Sequence, residues 1–250
     1  MEEVDDATLA PSVPLEVFEG DVGRVLAVVA HPDDLEYGAA AAVARWTAAG
    51  HEVAYVLATR GEAGIDGLAP AQCAPLRVEE QVRSAAVVGV EIVEFLDHPD
   101  GVLTYGLELR RDLAGAIRRH RPDTVVTINH REDWGSPGSR NSADHRALGA
   151  ALLDAVADAG NRWIFPDAGA GNGPHQASRV LVTGSPRARH AIDVSDTIDL
   201  AIASLAEHRT YLEGLGDHPM ADPEFLRWTL GAVGANIGCD AAVGFELFEM

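Results

Sequence analysis

The stretch VLAVVAHPDDLEYG, residues 25–38, ends an apolar run on a histidine, a proline and two adjacent aspartates. Imidazole nitrogens and carboxylate oxygens are normal ligands of zinc in proteins. His31 and Asp34 lie three positions apart, so a turn that opens a helix can bring both to one point. Asp33 then points in a different direction. The alternative is a helix start whose aspartates only cap the helix.

A second polar cluster follows another apolar run, in the sequence TINHREDWGSPGSRNSADHRALG of residues 127–149. Catalytic zinc sites usually have three protein ligands and one open position. His145, where a helix is predicted to begin, is the expected third ligand. Asp144 would cap this helix or hold an imidazole in one tautomer. His130 and Asn141 are further candidates, although a histidine at a strand end can also have no role.

The elements around these clusters predict an α/β fold with a Rossmann-like, mostly parallel sheet and helices on both faces. Strands are expected at residues 24–30, 51–59, 91–96, 124–128, 162–165, 179–183, 190–194 and 242–249. Helices are expected at residues 39–49, 76–88, 107–120, 144–158, 196–214 and 222–233. In such sheets ligands bind beyond the carboxyl ends of the strands, where both polar clusters lie.

The chain is expected to divide into an acidic lead-in, residues 1–20, and a single domain, residues 21–250.

The arginines of the helix at residues 107–120 are expected to form a solvated face. No G-x-G-x-x-G motif follows the first strand, which disfavours a Rossmann dinucleotide site.

The charge of the chain argues against two classes of binding partner. Nineteen basic and 39 acidic residues give a formal net charge of −20, which disfavours nucleic acid and anionic membranes as partners. Cys73 and Cys239 form no CxxC pair, and the first residues lack the pattern of a signal peptide. No stretch approaches the roughly 18 apolar residues of a membrane span. We expect a cytoplasmic protein that acts on a small molecule.

Four motifs, in order, resemble those of the PIG-L/LmbE-like deacetylases: AHPDDLEYG at residues 30–38, TRGEAG at 59–64, LRVEEQ at 76–81 and NSADHRALG at 141–149. The resemblance covers residues 24 to 150 well and the last hundred residues only loosely. It implies an LmbE-like fold and a zinc-dependent hydrolase that removes an acyl group, commonly acetyl, from glucosamine-type sugars. Another divalent metal is the alternative to zinc.

The resemblance also implies roles for single residues. His31, Asp34 and His145 would be the metal ligands, and Asp33 would be the general base. Arg77 matches a position that shapes the pocket or binds substrate. Members of the family commonly assemble as oligomers, so a homo-oligomer is expected.

The chain departs from the family pattern at one position. Several deacetylases have H-x-D-H, whose first histidine stabilises the tetrahedral intermediate or protonates the leaving amine, where this chain has Ser142. His130, Asn141 or His190 could take its place. Two alternatives stay open. One is an amidase that acts on a thiol conjugate or an acylated secondary metabolite, because the family includes both kinds of activity. The other, which Ser142 favours, is a sugar- or metal-binding homologue without turnover.

Overall fold

The computed structural model describes residues 14–250 and contains one eight-stranded sheet. The strands are β1 (Glu16–Val17), β2 (Val25–Val29), β3 (Val53–Leu57), β4 (Ile92–Phe95), β5 (Thr124–Ile128), β6 (Arg179–Thr183), β7 (His190–Asp193) and β8 (Ala242–Glu249). Their spatial order is β1-β7-β8-β6-β5-β2-β3-β4. Strand β8 runs antiparallel to β6 and β7, and the other neighbours pair in parallel. The expected mostly parallel sheet is confirmed.

Helices cover both faces of the sheet and bury a separate core on each. They are α1 (Asp34–Gly38), α2 (Ala40–Ala48), α3 (Pro70–Val87), α4 (Leu107–His120), α5 (Ala143–Gly160), α6 (Ile198–Leu205), α7 (Arg209–Gly214) and α8 (Phe225–Gly234). Alternate residues of β2 enter the two cores: Val25, Ala27 and Val29 face α2 and α6, whereas Leu26 and Val28 face α4 and α5. A strand covered on both faces reads as the continuous apolar run seen in the sequence.

Helix α3 begins at Pro70, six residues before the predicted start. Proline suits the first position of a helix, since its missing N–H would have no helical partner there. Pro75 lies inside the same helix and removes one backbone hydrogen bond, which the helix tolerates. The single helix predicted at residues 196–214 is divided into α6 and α7.

Two predictions near α4 are wrong, and Arg118 explains both. Residues 162–165 form turns instead of a strand, and Arg118 is 2% exposed instead of solvated. Its guanidinium donates to a set of backbone carbonyls at and after the end of α5, those of Asp158, Ala159, Asn161, Ile164, Phe165 and Ala168. Carbonyl groups bound to this side chain cannot join a strand ladder.

The start of the described chain belongs to the sheet. Residues 1–13 of the predicted lead-in lie outside the described residues. The rest of the lead-in contains β1, which pairs with β7 at one edge of the sheet. Within residues 14–250, no helix has both the length and the apolar character needed to cross a membrane.

Replacement of Arg118 by Met should destabilise the protein by about 3 kcal/mol, because several buried carbonyls would lose their charged donor. The matched control is Arg111→Met on the same helix, an exposed arginine paired with Asp167, which should cost less than about 1 kcal/mol. Urea denaturation of both variants measures this. Equal losses would show that the Arg118 contacts contribute little.

Candidate active site and metal centre

The two polar clusters of the sequence meet because β2 and β5 are adjacent parallel strands. The HPDD motif follows β2 and leads into α1, while the loop after β5 leads into α5. The carboxyl ends of both strands therefore open on the same edge of the sheet.

His31, Asp34 and His145 converge at this edge, and one ligand atom from each lies within 4.8 Å of the others. The carboxylate of Asp34 lies between the two imidazoles: Oδ1 is 2.9 Å from His145 Nε2 and Oδ2 is 3.4 Å from His31 Nδ1. Two imidazoles and one carboxylate are a donor set that zinc accepts. Burial opposes ionisation of Asp34, but the two histidines hold the pKa of this carboxyl well below its ordinary value.

The second nitrogen of His31 faces two further carboxylates. Its Nε2 lies 3.1 Å from Asp100 Oδ1 and 3.2 Å from Asp144 Oδ2. Asp144 is itself held by the backbone N–H groups of Gly101 (2.8 Å) and Leu103 (3.0 Å). A carboxylate at this nitrogen fixes the tautomer and the orientation of a metal-binding imidazole. Of the two roles expected for Asp144, the contact with an imidazole is present, with His31 as the partner, whereas the cap of α5 is Ser142.

His145 is oriented in the same way by an amide. Its Nδ1 lies 2.9 Å from Asn141 Oδ1, and the Nδ2 of Asn141 donates to the carbonyls of Asn129 (2.7 Å) and Arg131 (3.1 Å). These two bonds set which end of the amide faces His145. Asn141 therefore holds the ring so that Nε2 points towards Asp34.

Asp33, next to Asp34 in the chain, has a different partner from the other three residues. Its carboxylate accepts a hydrogen bond from Arg77 Nη2, which also donates to the carbonyl of Pro32 at 2.6 Å. Burial raises the pKa of Asp33 above its ordinary value, and the guanidinium of Arg77 opposes this. A carboxylate with a raised pKa is better suited to accept a proton near neutral pH.

The chain that forms this site is similar to proteins of a known family. The family model for GlcNAc-PI de-N-acetylases, PIG-L, matches residues 26–156. The chain belongs to the PIG-L family. The match covers both motifs that supply the convergent side chains.

Two curated relatives and one solved structure extend this match to most of the PIG-L chain. It is 32% identical over 197 residues to the diacetylchitobiose deacetylase of Thermococcus kodakarensis, covering 76% of this chain and 70% of the relative. It is 30% identical over 249 residues to the 1D-myo-inositol 2-acetamido-2-deoxy-alpha-D-glucopyranoside deacetylase of Kineococcus radiotolerans, covering 86% and 63%. The N,N'-diacetylchitobiose deacetylase from Pyrococcus horikoshii superposes with a TM-score of 0.80 at 25% identity, covering 92% of this chain and 85% of that one.

In this PIG-L chain, Ser142 caps α5: its Oγ accepts the backbone N–H of His145 at 3.1 Å. Of the three residues considered as substitutes for a histidine here, Asn141 alone contacts the convergent side chains. Asn141 is used by His145, and the ring of His190 stacks on Phe245, 6.0 Å away. His130 packs beside Phe248 and against Gly149, so the structure does not bring it into the cluster.

Sequence reasoning missed Asp100 and the contacts that hold it. The segment His98-Pro99-Asp100 follows β4, so the strand-end rule that found the first cluster also applies there. Glu62 Oε1 accepts the backbone N–H of Asp100 at 2.9 Å, and Asp100 Oδ2 accepts that of Ala63 at 2.7 Å. The TRGEAG motif thus clamps the loop that carries Asp100.

Zinc affinity should fall in a graded way across three variants. His145→Ala removes a candidate ligand and should weaken binding more than Asn141→Ala, which removes the orienting amide and should cost about 10- to 100-fold. His130→Ala is the control and should bind zinc as the parent does. Competition with a chromophoric chelator measures the three affinities. A loss in His130→Ala that matched the loss in His145→Ala would contradict the assigned ligand set.

Proposed function

We propose that this protein is a zinc-dependent deacetylase that hydrolyses the N-acetyl amide of a small amino-sugar conjugate. The observation that carries the proposal is the convergence of His31, Asp34 and His145 beside a separately held Asp33. The two curated relatives, both deacetylases by name, support the reaction and the class of substrate. They are proteins longer than the part that this chain matches, so the substrate is proposed by similarity.

When bound, zinc would lower the pKa of a water molecule and polarise the amide carbonyl. Asp33 would accept a proton from the attacking water molecule, and the oxygen of that water would bond to the carbonyl carbon. The carbon–nitrogen bond then breaks, and Asp33 returns the proton to the departing amine. The products are acetate and the free amino sugar. Arg77 holds the Asp33 carboxylate in place during both proton transfers.

Replacement of Asp33 by Asn should leave zinc binding intact and lower kcat by on the order of 10²- to 10⁴-fold, because the proton acceptor is lost. Asparagine tolerates the left-handed backbone of this position, so the fold should be kept. Acetate release from diacetylchitobiose and zinc content measure the two properties.

The control for this variant is Asp97→Asn, an exposed aspartate paired with Arg60, which should keep the parent rate. Parent-like hydrolysis by Asp33→Asn would show that the base is another group. Loss of zinc together with hydrolysis would show that Asp33 is a ligand.

Trp134 offers a surface on which a sugar ring can stack. Its side chain is 39% exposed, and its ring meets that of His145 edge-on, with centroids 5.9 Å apart. Trp134→Ala should therefore raise KM by about tenfold, the equivalent of one aromatic contact, with a smaller change in kcat.

The control is Trp163→Ala, which removes an 83% exposed tryptophan. Trp163 follows the carboxyl end of α5, a helix about 27 Å long whose other end carries His145. Steady-state kinetics of both variants measure KM and kcat. An equal KM for Trp134→Ala and the parent would remove Trp134 from the substrate site.

A panel of substrates tests the alternatives. Hydrolysis of an acylated thiol conjugate or an acylated secondary metabolite, without hydrolysis of N-acetylglucosamine derivatives, would move the protein to the other amidase class. Tight zinc binding with no cleavage of any amide would make it a non-catalytic binding protein, the interpretation that Ser142 favours.

A cytoplasmic location and a homo-oligomer remain predictions, and so does the lack of affinity for nucleic acid expected from the acidic charge.

A further inference from the structure

Asp33 adopts a backbone conformation that its surroundings must hold. Its φ of 84° and ψ of −26° lie in the left-handed region, where a side chain crowds the following carbonyl oxygen. The turn sends the carboxylates of Asp33 and Asp34 in different directions. Whatever holds this backbone also sets the position of the Asp33 carboxylate.

One buried face of α3 contacts Asp33 twice. Gln81 Oε1 accepts the backbone N–H of Asp33 at 3.1 Å, and Arg77, four residues earlier, donates to its carboxylate. Residues four apart lie on one face of a helix. Gln81 is fully buried, so its hydrogen bond to the Asp33 backbone is shielded from bulk solvent. Helix α3 thus holds the backbone and the side chain of Asp33 together.

Glu36 sets the orientation of the Gln81 amide. Gln81 Nε2 donates to Glu36 Oε1 at 2.9 Å. A flipped amide would place its NH₂ against the N–H of Asp33 and its oxygen against the Glu36 carboxylate, two repulsive contacts. The carbonyl end of Gln81 is therefore kept on Asp33.

Two further side chains contact Glu36. Ser84 Oγ of α3 donates to its Oε1 at 2.6 Å, and His208 Nε2 lies 3.4 Å from its Oε2. All three side chains are buried. A buried carboxylate is costly, and apolar residues of similar volume are often as stable or more so. Stability alone does not account for this choice of residues.

We propose that Gln81 is a positioning residue that holds the Asp33 backbone in its left-handed turn, and that Glu36 acts through Gln81. The inference rests on the proposed role of Asp33 as proton acceptor. It assigns to the interior of α3 a part in the proton transfer, although the side chain of Gln81 is buried and its hydrogen bonds go to Asp33 and Glu36.

The test is Gln81→Met, which keeps the length of the side chain and removes both hydrogen bonds, made in the parent and in Asp33→Asn. In the parent, kcat should fall on the order of 10- to 100-fold, as for a misplaced reacting group, with KM and zinc affinity unchanged within about twofold. In Asp33→Asn the same change should have no further effect on kcat. Equal fold-losses in both backgrounds would show a merely structural role and overturn the proposal.

A second readout does not depend on hydrolysis. In the zinc-loaded protein, hydrogen exchange of the Asp33 backbone amide should be about tenfold faster or more in Gln81→Met, since its acceptor is gone. Amides within α5 should stay as protected as in the parent. Unchanged exchange at Asp33 would overturn the inference, whether or not an amide substrate has been found, and so separates its failure from that of the proposed function.

The matched control is Gln72→Met, the same substitution at an exposed position of the same helix, which should leave kcat and exchange unchanged. If Gln81→Met does not fold, Gln81→Asn replaces it, because the shorter amide cannot reach both Asp33 and Glu36. The same loss of kcat and the same faster exchange are expected. Parent-like values of both would contradict the proposal.

Discussion

The site depends on one interaction, the contact of the buried Asp34 carboxylate with the imidazoles of His31 and His145. His31 precedes it by three residues, whereas His145 reaches it from more than a hundred residues away. A buried carboxylate needs opposite charge or strong hydrogen bonds, and a divalent cation at the same point would supply further charge. The adjacency of β2 and β5, and the two cores that cover them, are what bring these side chains to one place.

The backbone turns between two neighbouring aspartates, so their carboxylates face different partners. Asp34 faces the imidazoles, whereas the left-handed turn at Asp33 directs its carboxylate to Arg77. The contacts that hold this turn come from α3, a helix that supplies none of the three convergent side chains, His31, Asp34 and His145. The division between ligand and base that we propose for these two residues therefore depends on the hydrogen bonds from α3 as much as on the motif.

The sequence was most informative where a polar cluster ends an apolar run. The convergence of His31, Asp34 and His145 could be predicted because strand ends of a parallel sheet share one edge, and a contact between Asp144 and an imidazole is what the chemistry of metal-binding histidines leads one to expect. Asp100 could have been found by the same rule at the end of β4.

Other features depend on side-chain directions that no sequence pattern reports. His130 follows β5 as the rule requires, yet its ring packs on Gly149 and Phe248. Arg118 resembles its solvated neighbours on α4 but turns inward to the carbonyls after α5. Gln81 sits in the middle of a helix, where its role is visible only from the atoms that it contacts.

The most direct test of the central claim is X-ray absorption spectroscopy of the protein loaded with one equivalent of zinc. The account predicts a shell of nitrogen and oxygen donors with the scattering signature of two imidazoles, from His31 and His145, and the carboxylate of Asp34. A sulfur donor, from Cys73 or Cys239, or a shell with fewer than two imidazoles, would contradict it.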